Sequence, residues 1–250
     1  MFDFSAFPTP MTDRLILREF QVDDGADLFA FRSDREEQKF NSQPMKDLDE
    51  SVTLIDEIRQ AYARKCAVHW AVAVAETGRV IGLFGFGAWE RYHRRAEVGY
   101  DLAADYWGRG LATEALVAIL SFGFQEMQLN RVEAQTIVDN LASVRLLLRL
   151  GFRQEGVRRE YSWEEDGAFH DSAIYGLLRG DHPEAWRLSS SAQSSFRSPA
   201  RRTVAAYSAT SSAAEAGGRA LPPKLPPGRC GTASSSWGYA PSPLHATRTT

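Results

Sequence analysis

Residues 1–187 predict an α/β domain of mixed sheet order with helices on its faces, and residues 188–250 predict a disordered tail. Short apolar runs of strand character alternate with longer segments whose apolar residues recur at helical spacing. Capping and turn residues fall between these segments rather than inside them. The composition changes sharply near Arg187: beyond it there is no Ile, Met or Asp, and seven of the 11 prolines lie there among Ser, Ala, Thr and Arg. Such a tail cannot bury enough apolar surface to offset its chain entropy.

The elements follow in order. Residues 14–18 read as a first strand. Asp23 or Asp24 is placed to cap a short helix carrying Leu28, Phe29 and Phe31. Asp47, followed three residues later by Glu50, has capping-box spacing before a helix in which Val52, Ile55 and Tyr62 fall largely on one face. Residues 69–75 and 80–89 read as strands joined by a turn at Thr77-Gly78, and 96–102 as another. Residues 110–126 read as a helix, with Leu111, Ala115, Ala118, Ile119 and Phe122 at helical spacing. Residues 131–138 form a strand. Asn140 caps a helix over 141–150, which Gly151 ends. Residues 153–163 and 170–177 close the domain as a hairpin around Asp166-Gly167.

The net charge of −3 conceals an asymmetry. Residues 188–250 hold seven Arg or Lys against one acid, Glu215, so residues 1–187 carry −9. An acidic body argues against nucleic acid as a partner and suits a cationic one. Two distant cysteines, Cys66 and Cys230, give neither a disulfide framework nor a zinc spacing, so no metal is expected and a cytoplasmic protein is the simple reading. The first 20 residues lack a basic stretch followed by an apolar run, so no signal peptide is expected, and no run is long enough for a membrane span.

The chemistry concentrates after the strand 96–102. A short loop leads into Trp107-Gly108-Arg109-Gly110-Leu111-Ala112-Thr113, which opens the helix. Glycines at 108 and 110 leave backbone N–H groups unshielded at the positive end of a helix dipole, a site for a diphosphate. Arg109 adds positive charge. The same pattern also fits a plain strand–helix turn. A nucleoside-triphosphate loop is disfavoured because no Gly-Lys-Ser/Thr follows, and a dinucleotide fold because G-x-G-x-x-G is missing.

Over residues 12–180 the sequence resembles the GNAT acetyltransferases, in particular the branch that contains ribosomal-protein alanine N-acetyltransferases. The resemblance rests on Thr12-Asp-Arg-Leu-Ile-Leu-Arg18, Ile81-Gly82, Glu97-Val-Gly-Tyr100, Tyr106-Trp-Gly-Arg-Gly-Leu-Ala-Thr-Glu-Ala115, Asn130-Arg-Val-Glu-Ala134, and Asn140-Leu-Ala-Ser143 running to Leu150-Gly-Phe152. It implies a mixed, mostly antiparallel central sheet with helices on both faces. It also implies acetyl-CoA as co-substrate, with the pyrophosphate on the amides of residues 108–113. Trp107 stands where the family's phosphate loop has Gln or Arg, and Gly110 and Ala112 fill its other two places. The pantetheine arm would pair with the backbone of Tyr100, Asp101 and Leu102, and Asn140 would reach the cofactor from the next helix.

The implied reaction is direct attack of a neutral amine on a thioester. An α-amine, with a pKa of about 7.7–8.0, reaches that state more readily than a lysine at about 10.4. Many family members carry a proton-donating Tyr where this chain has Leu147. Ser143, one turn earlier, is the candidate acid, with a helix-surface serine as the alternative. Glu97 and Glu133 are candidate bases, with ion-paired strand residues as the alternative. His93 fits an exposed loop, and His170-Asp171 a structural hydrogen bond. The acceptor reads as the α-amine of a protein, such as a ribosomal one, or as a small amine such as a polyamine, amino acid or aminoglycoside. The enzyme would act as a monomer or homodimer. A non-enzymatic CoA-binding sensor is the remaining possibility.

Overall fold

The computed structural model describes residues 3–41, 43–164 and 166–181. The expected domain boundary at 187 and the tail 188–250 lie outside the described residues. The elements run β1 (Leu15–Arg18), α1 (Gly25–Arg32), α2 (Arg35–Gln38), α3 (Leu48–Ala63), β2 (Val68–Val74), β3 (Val80–Glu90), β4 (Arg95–Leu102), α4 (Leu111–Gln125), β5 (Arg131–Ile137), α5 (Leu141–Arg149), β6 (Arg153–Trp163) and β7 (Phe169–Leu178). One seven-stranded sheet holds them in the order β1-β2-β3-β4-β5-β7-β6. Every neighbouring pair is antiparallel except β4 and β5, which are parallel.

Side chains alternate between the two faces of the sheet, and each face has its own core. On one face Trp70, Phe84, Phe86, Ala96, Val98, Val132 and Ala134 pack with α4 and α5 residues such as Phe122 and Leu147. The Trp70 ring meets Phe122 edge-on, with centroids 5.3 Å apart. On the other face Ala71, Ala73, Val80 and Leu83 pack with Leu28 and Phe31 of α1 and with Leu54, Ile55 and Ile58 of α3. Among the described residues no helix is long and apolar enough to cross a membrane.

Two local readings change. Asp24 occupies the cap position of α1 but makes no side-chain cap. Its carboxylate is held by both arms of Arg18, at 2.7 and 2.8 Å, and by the Gln21 amide at 2.7 Å, and a charged fork outcompetes a neutral amide. The buried stripe of α3 is Ser51, Leu54, Ile55, Ile58 and Ala61. Val52 and Tyr62 flank it half-buried, and Tyr62 packs on Phe4 and Phe7 instead. His170 makes the structural hydrogen bond expected of it, to Asp166 at 2.8 Å, and Asp171 accepts from the Glu160 amide at 2.8 Å.

β2 and β3 approach so closely at Gly85 that a Cβ there would lie 2.4 Å from the Val68 carbonyl oxygen and 2.6 Å from the His69 Cα. Both obstacles are backbone, so two strands must part to admit a methyl group. Gly85→Ala is expected to cost about 3 kcal/mol of stability, measured as a lower urea midpoint at unchanged slope. Gly156→Ala, where nothing lies within 4 Å, is the control and is expected to stay within about 0.5 kcal/mol of the parent.

Candidate active site

The parallel pair β4–β5 generates the site. The two strands register only at Arg95–Arg131, Ala96–Val132 and Glu97–Glu133, and beyond Glu97 they part. Ala103 donates its N–H to Ile81 of β3. By the alternation of an antiparallel ladder, the Val98 carbonyl and the N–H and C=O groups of Tyr100 and Leu102 therefore turn into the gap, the Val98 N–H closing the ladder with β5. The gap opens into a cavity of about 1040 Å³.

At the far end of the gap α4 begins. Gly110 is its cap, in the left-handed conformation at φ 77°, and Gly108 also has positive φ at 72°. No side chain caps the helix, and its first intrahelical bond joins the Glu114 N–H to the Gly110 carbonyl. The amides of Leu111, Ala112 and Thr113 thus stand open on the cavity that these residues line. The residues that brace this turn come from the Thr12-Asp-Arg14 segment. Thr12 Oγ1 and Arg14 Nε donate to Glu114 at 2.5 and 2.7 Å, and Arg14 Nη1 donates to the Arg109 carbonyl at 3.1 Å. Burial opposes ionisation of Glu114, but these hydrogen bonds outweigh it and hold its carboxyl below the usual range.

Trp107 does more than replace a polar residue. Its indole Nε1–H donates to the Leu102 carbonyl at 2.5 Å, pinning the loop to the end of β4. That bond takes one lone pair of the Leu102 carbonyl, and the Val98 carbonyl, both Tyr100 groups and the Leu102 N–H remain to pair with a ligand along the strand. Arg109 does not line the cavity; its guanidinium lies 5.4 Å from the Tyr106 ring centroid. Asn140 lines the cavity and caps α5, its Oδ1 accepting from the Ser143 N–H at 3.1 Å.

Tyr100 and Ser143 meet across the gap, with hydroxyl oxygens 2.6 Å apart. Burial pushes the Tyr100 phenol well above its ordinary pKa, against the opposing effect of the Ser143 hydrogen bond. The phenol therefore stays protonated at neutral pH. Leu147, the position of the missing tyrosine, is buried in the α4/α5 core.

Glu97 lies on the opposite face, because its neighbours Ala96 and Val98 belong to the core beneath α4 and α5. It lines the cavity, and burial followed by the nearby Glu133 charge raises its carboxyl above the ordinary range, with Arg158 opposing. Glu133 is placed differently. It accepts from Arg131 Nε at 2.8 Å, lies 3.9 Å from Arg95 Nη1 and does not line the cavity. His93 is exposed in the β3–β4 turn, 3.9 Å from Glu90.

Asp101 points its carboxylate to the α1–α2 face. There it accepts from Arg32 Nε at 2.9 Å, Gln38 Nε2 at 3.0 Å and Asn41 Nδ2 at 3.1 Å. The pair is buried, and both carboxylate oxygens are bonded, the condition under which such a charge is tolerated. This cluster fastens β4 to the segment carrying Lys39, Phe40 and Asn41, which forms the cavity's other wall. Sequence reasoning missed it, since its members lie 60 or more residues from Asp101 and share no local pattern. Among the described residues no cluster of His, Cys, Asp and Glu could hold a metal ion.

The model of the acetyltransferase (GNAT) domain matches residues 14–153. The uncharacterized N-acetyltransferase YoaA of Bacillus subtilis is 34% identical over 174 residues, covering 69% of this chain and 98% of its own length. The ribosomal-protein-serine acetyltransferase of Escherichia coli is 32% identical over 99 residues, covering 40% of this chain and 55% of its own. The solved structure of RimL, a ribosomal alpha-N-protein acetyltransferase in complex with coenzyme A, shares the fold with a TM-score of 0.63 at 21% identity, over 68% of this chain and 96% of that one. The open amides at α4 and the parted strands fit a ligand with a diphosphate and an extended amide arm. This chain belongs to the GNAT acetyltransferases and is an N-acetyltransferase that draws its acetyl group from acetyl-CoA.

Proposed function

We propose that the acceptor is the α-amine of a polypeptide, acetylated by direct transfer in the gap between β4 and β5. The observation that carries the mechanism is the placement of a raised carboxyl, Glu97, and a hydroxyl pair, Tyr100–Ser143, on opposite faces of one opening. The E. coli relative's name supports a protein acceptor, and an α-amine needs only a modest base to become neutral.

Acetyl-CoA supplies the thioester, whose C–S bond breaks as the C–N bond forms. The amides of Leu111, Ala112 and Thr113 hold its pyrophosphate, the free edge of β4 aligns its arm, and Asn140 meets that arm from α5. Glu97 takes the proton that the amine loses. The Tyr100 N–H, turned into the gap, supports the negative charge that develops on the carbonyl oxygen. Ser143 gives its proton to the departing sulfur. Tyr100 donates to Ser143 Oγ, which leaves the serine's one proton for the sulfur, and the pair is reprotonated from solvent.

The test is acetyl-CoA turnover against a panel of free-amine peptides and small amines, following thiol release and product mass. The expected result is release matched by addition of one acetyl group at peptide N-termini. Turnover confined to polyamines or aminoglycosides would replace the acceptor class, and acetyl-CoA binding without turnover would favour a CoA sensor.

A further inference from the structure

Resting on the transferase reading above, we infer that the acceptor presents a carboxylate close to its reacting amine, and that Arg158 binds it. Val132 and Ala134 of β5 lie in the core beneath α4 and α5, so Gln135 points to the opposite face, which is also the face of Glu97. Arg158 reaches that face from β6, its Nη1 donating to Gln135 Oε1 at 2.9 Å and its guanidinium 4.8 Å from the Tyr161 ring centroid. Arg158, Gln135, Tyr161 and Glu97 all line the cavity.

Like Arg149, the other arginine that lines the cavity, Arg158 has no bonded carboxylate among the described residues; its bond to Gln135 holds it on the face of Glu97. Arg14, Arg18, Arg32, Arg95 and Arg131 each hold a carboxylate. Among the described residues Arg158 makes no ion pair; a neutral amide and an aromatic face orient it instead. The bond to Gln135 uses one arm of the fork and leaves the Nε–Nη2 edge, the edge that grips a carboxylate with two parallel bonds. Gln135 stands two residues beyond Glu133, the register partner of Glu97. The Gln135 amide that Arg158 bonds is therefore offset from Glu97 by roughly 7 Å along the strands. A carboxylate at one end and a guanidinium at the other complement a molecule that carries an amine and a carboxylate a few bonds apart. The wall across the cavity repeats the mixture with Glu36 and Lys39. The acidic body pointed to a cationic acceptor, but a ligand within the cavity responds to the charges a few ångströms away, because distant ones are screened.

Two sources offer this chemistry: the α-carboxylate of a free amino acid, or an acidic side chain next to a peptide's N-terminus. The test compares two matched sets with the intact enzyme. One set is phenylalanine, its amide and phenethylamine. The other is hexapeptides that differ only in Glu, Gln or Lys at the second position. The carboxylate member of at least one set is expected to have kcat/KM about tenfold above its neutral counterpart. Measured above the acidic limb of both proteins, where Glu97 is ionised with or without the Arg158 charge, Arg158→Gln should erase that ratio by raising KM for the carboxylate member alone, with KM for acetyl-CoA and Tm unchanged. Arg158→Lys should restore part of it. Equal or better turnover of neutral or cationic members by the parent enzyme would overturn the inference, as would an equal loss on all members in Arg158→Gln. Thiol release with no acceptor at all would instead sink the transferase reading, and this inference with it.

Discussion

Ser143→Ala is expected to lower kcat about 100-fold while leaving KM for acetyl-CoA within about twofold, because a positioned acid contributes roughly two to four powers of ten to a proton transfer. A hundredfold loss corresponds to about 2.7 kcal/mol of barrier. The cofactor's affinity comes mainly from open amides at α4 and the β4 edge, which the substitution does not touch. The cap on α5 also survives, since Asn140 bonds the backbone N–H of residue 143 rather than its side chain. Tyr100→Phe removes the partner hydroxyl but keeps the ring, which packs 5.8 Å from Phe84. It is expected to lower kcat about tenfold. If the two hydroxyls act as one unit, the double variant should be no slower than Ser143→Ala alone, whereas independent structural roles would give multiplied losses. Steady-state kinetics of the four proteins decides between these outcomes.

Glu97→Gln is expected to lower kcat/KM by about 100-fold near neutral pH and to remove the acidic limb of the pH profile. The sign follows from the carboxyl's role. Glu97 acts as a base only when ionised, so its contribution is present above its pKa and lost as pH falls through it. Burial and Glu133 raise that pKa, which moves the limb above the range of an ordinary glutamate. Removing the Glu133 charge, as in Glu133→Gln, should therefore shift the limb to lower pH. Arg158 opposes the rise, so Arg158→Gln should shift the limb upward. A profile of Glu97→Gln that keeps the parent's acidic limb would assign the base elsewhere.

The comparison of expectation with structure divides along sequence distance. The turn at Gly108 and Gly110, the Asn140 cap and the helix it opens were legible because each rests on a few adjacent residues. A glycine's tolerance of positive φ, or a side chain reaching three residues along, is a local property. The mixed, mostly antiparallel character of the sheet came from the family resemblance, while the strand order and the parallel β4–β5 pair came only from the structure, because periodicity is silent about partners. Local patterns misled where two groups competed for one carboxylate. Asp24 has the spacing of a cap, yet Arg18 reaches it from the neighbouring strand. Glu97 and Glu133 looked equivalent as acids on adjacent strands. Only the fold turned one into the cavity and gave the other to Arg131.

By itself the sequence determined that this chain builds an α/β domain with a glycine turn opening onto a helix N-terminus, because these features depend on neighbouring residues and short periodicities, while the acetyltransferase reading came from its resemblance to the GNAT family. The tertiary structure alone decided that Tyr100 meets Ser143 43 residues away, that Asp101 braces the opposite wall, that Trp107 pins the phosphate turn to β4, and that Arg158 stands without an acid beside Gln135. These contacts are set by strand register and by which face of the sheet each side chain takes. A one-residue change in register would exchange the faces and dissolve every one of them without altering any local pattern.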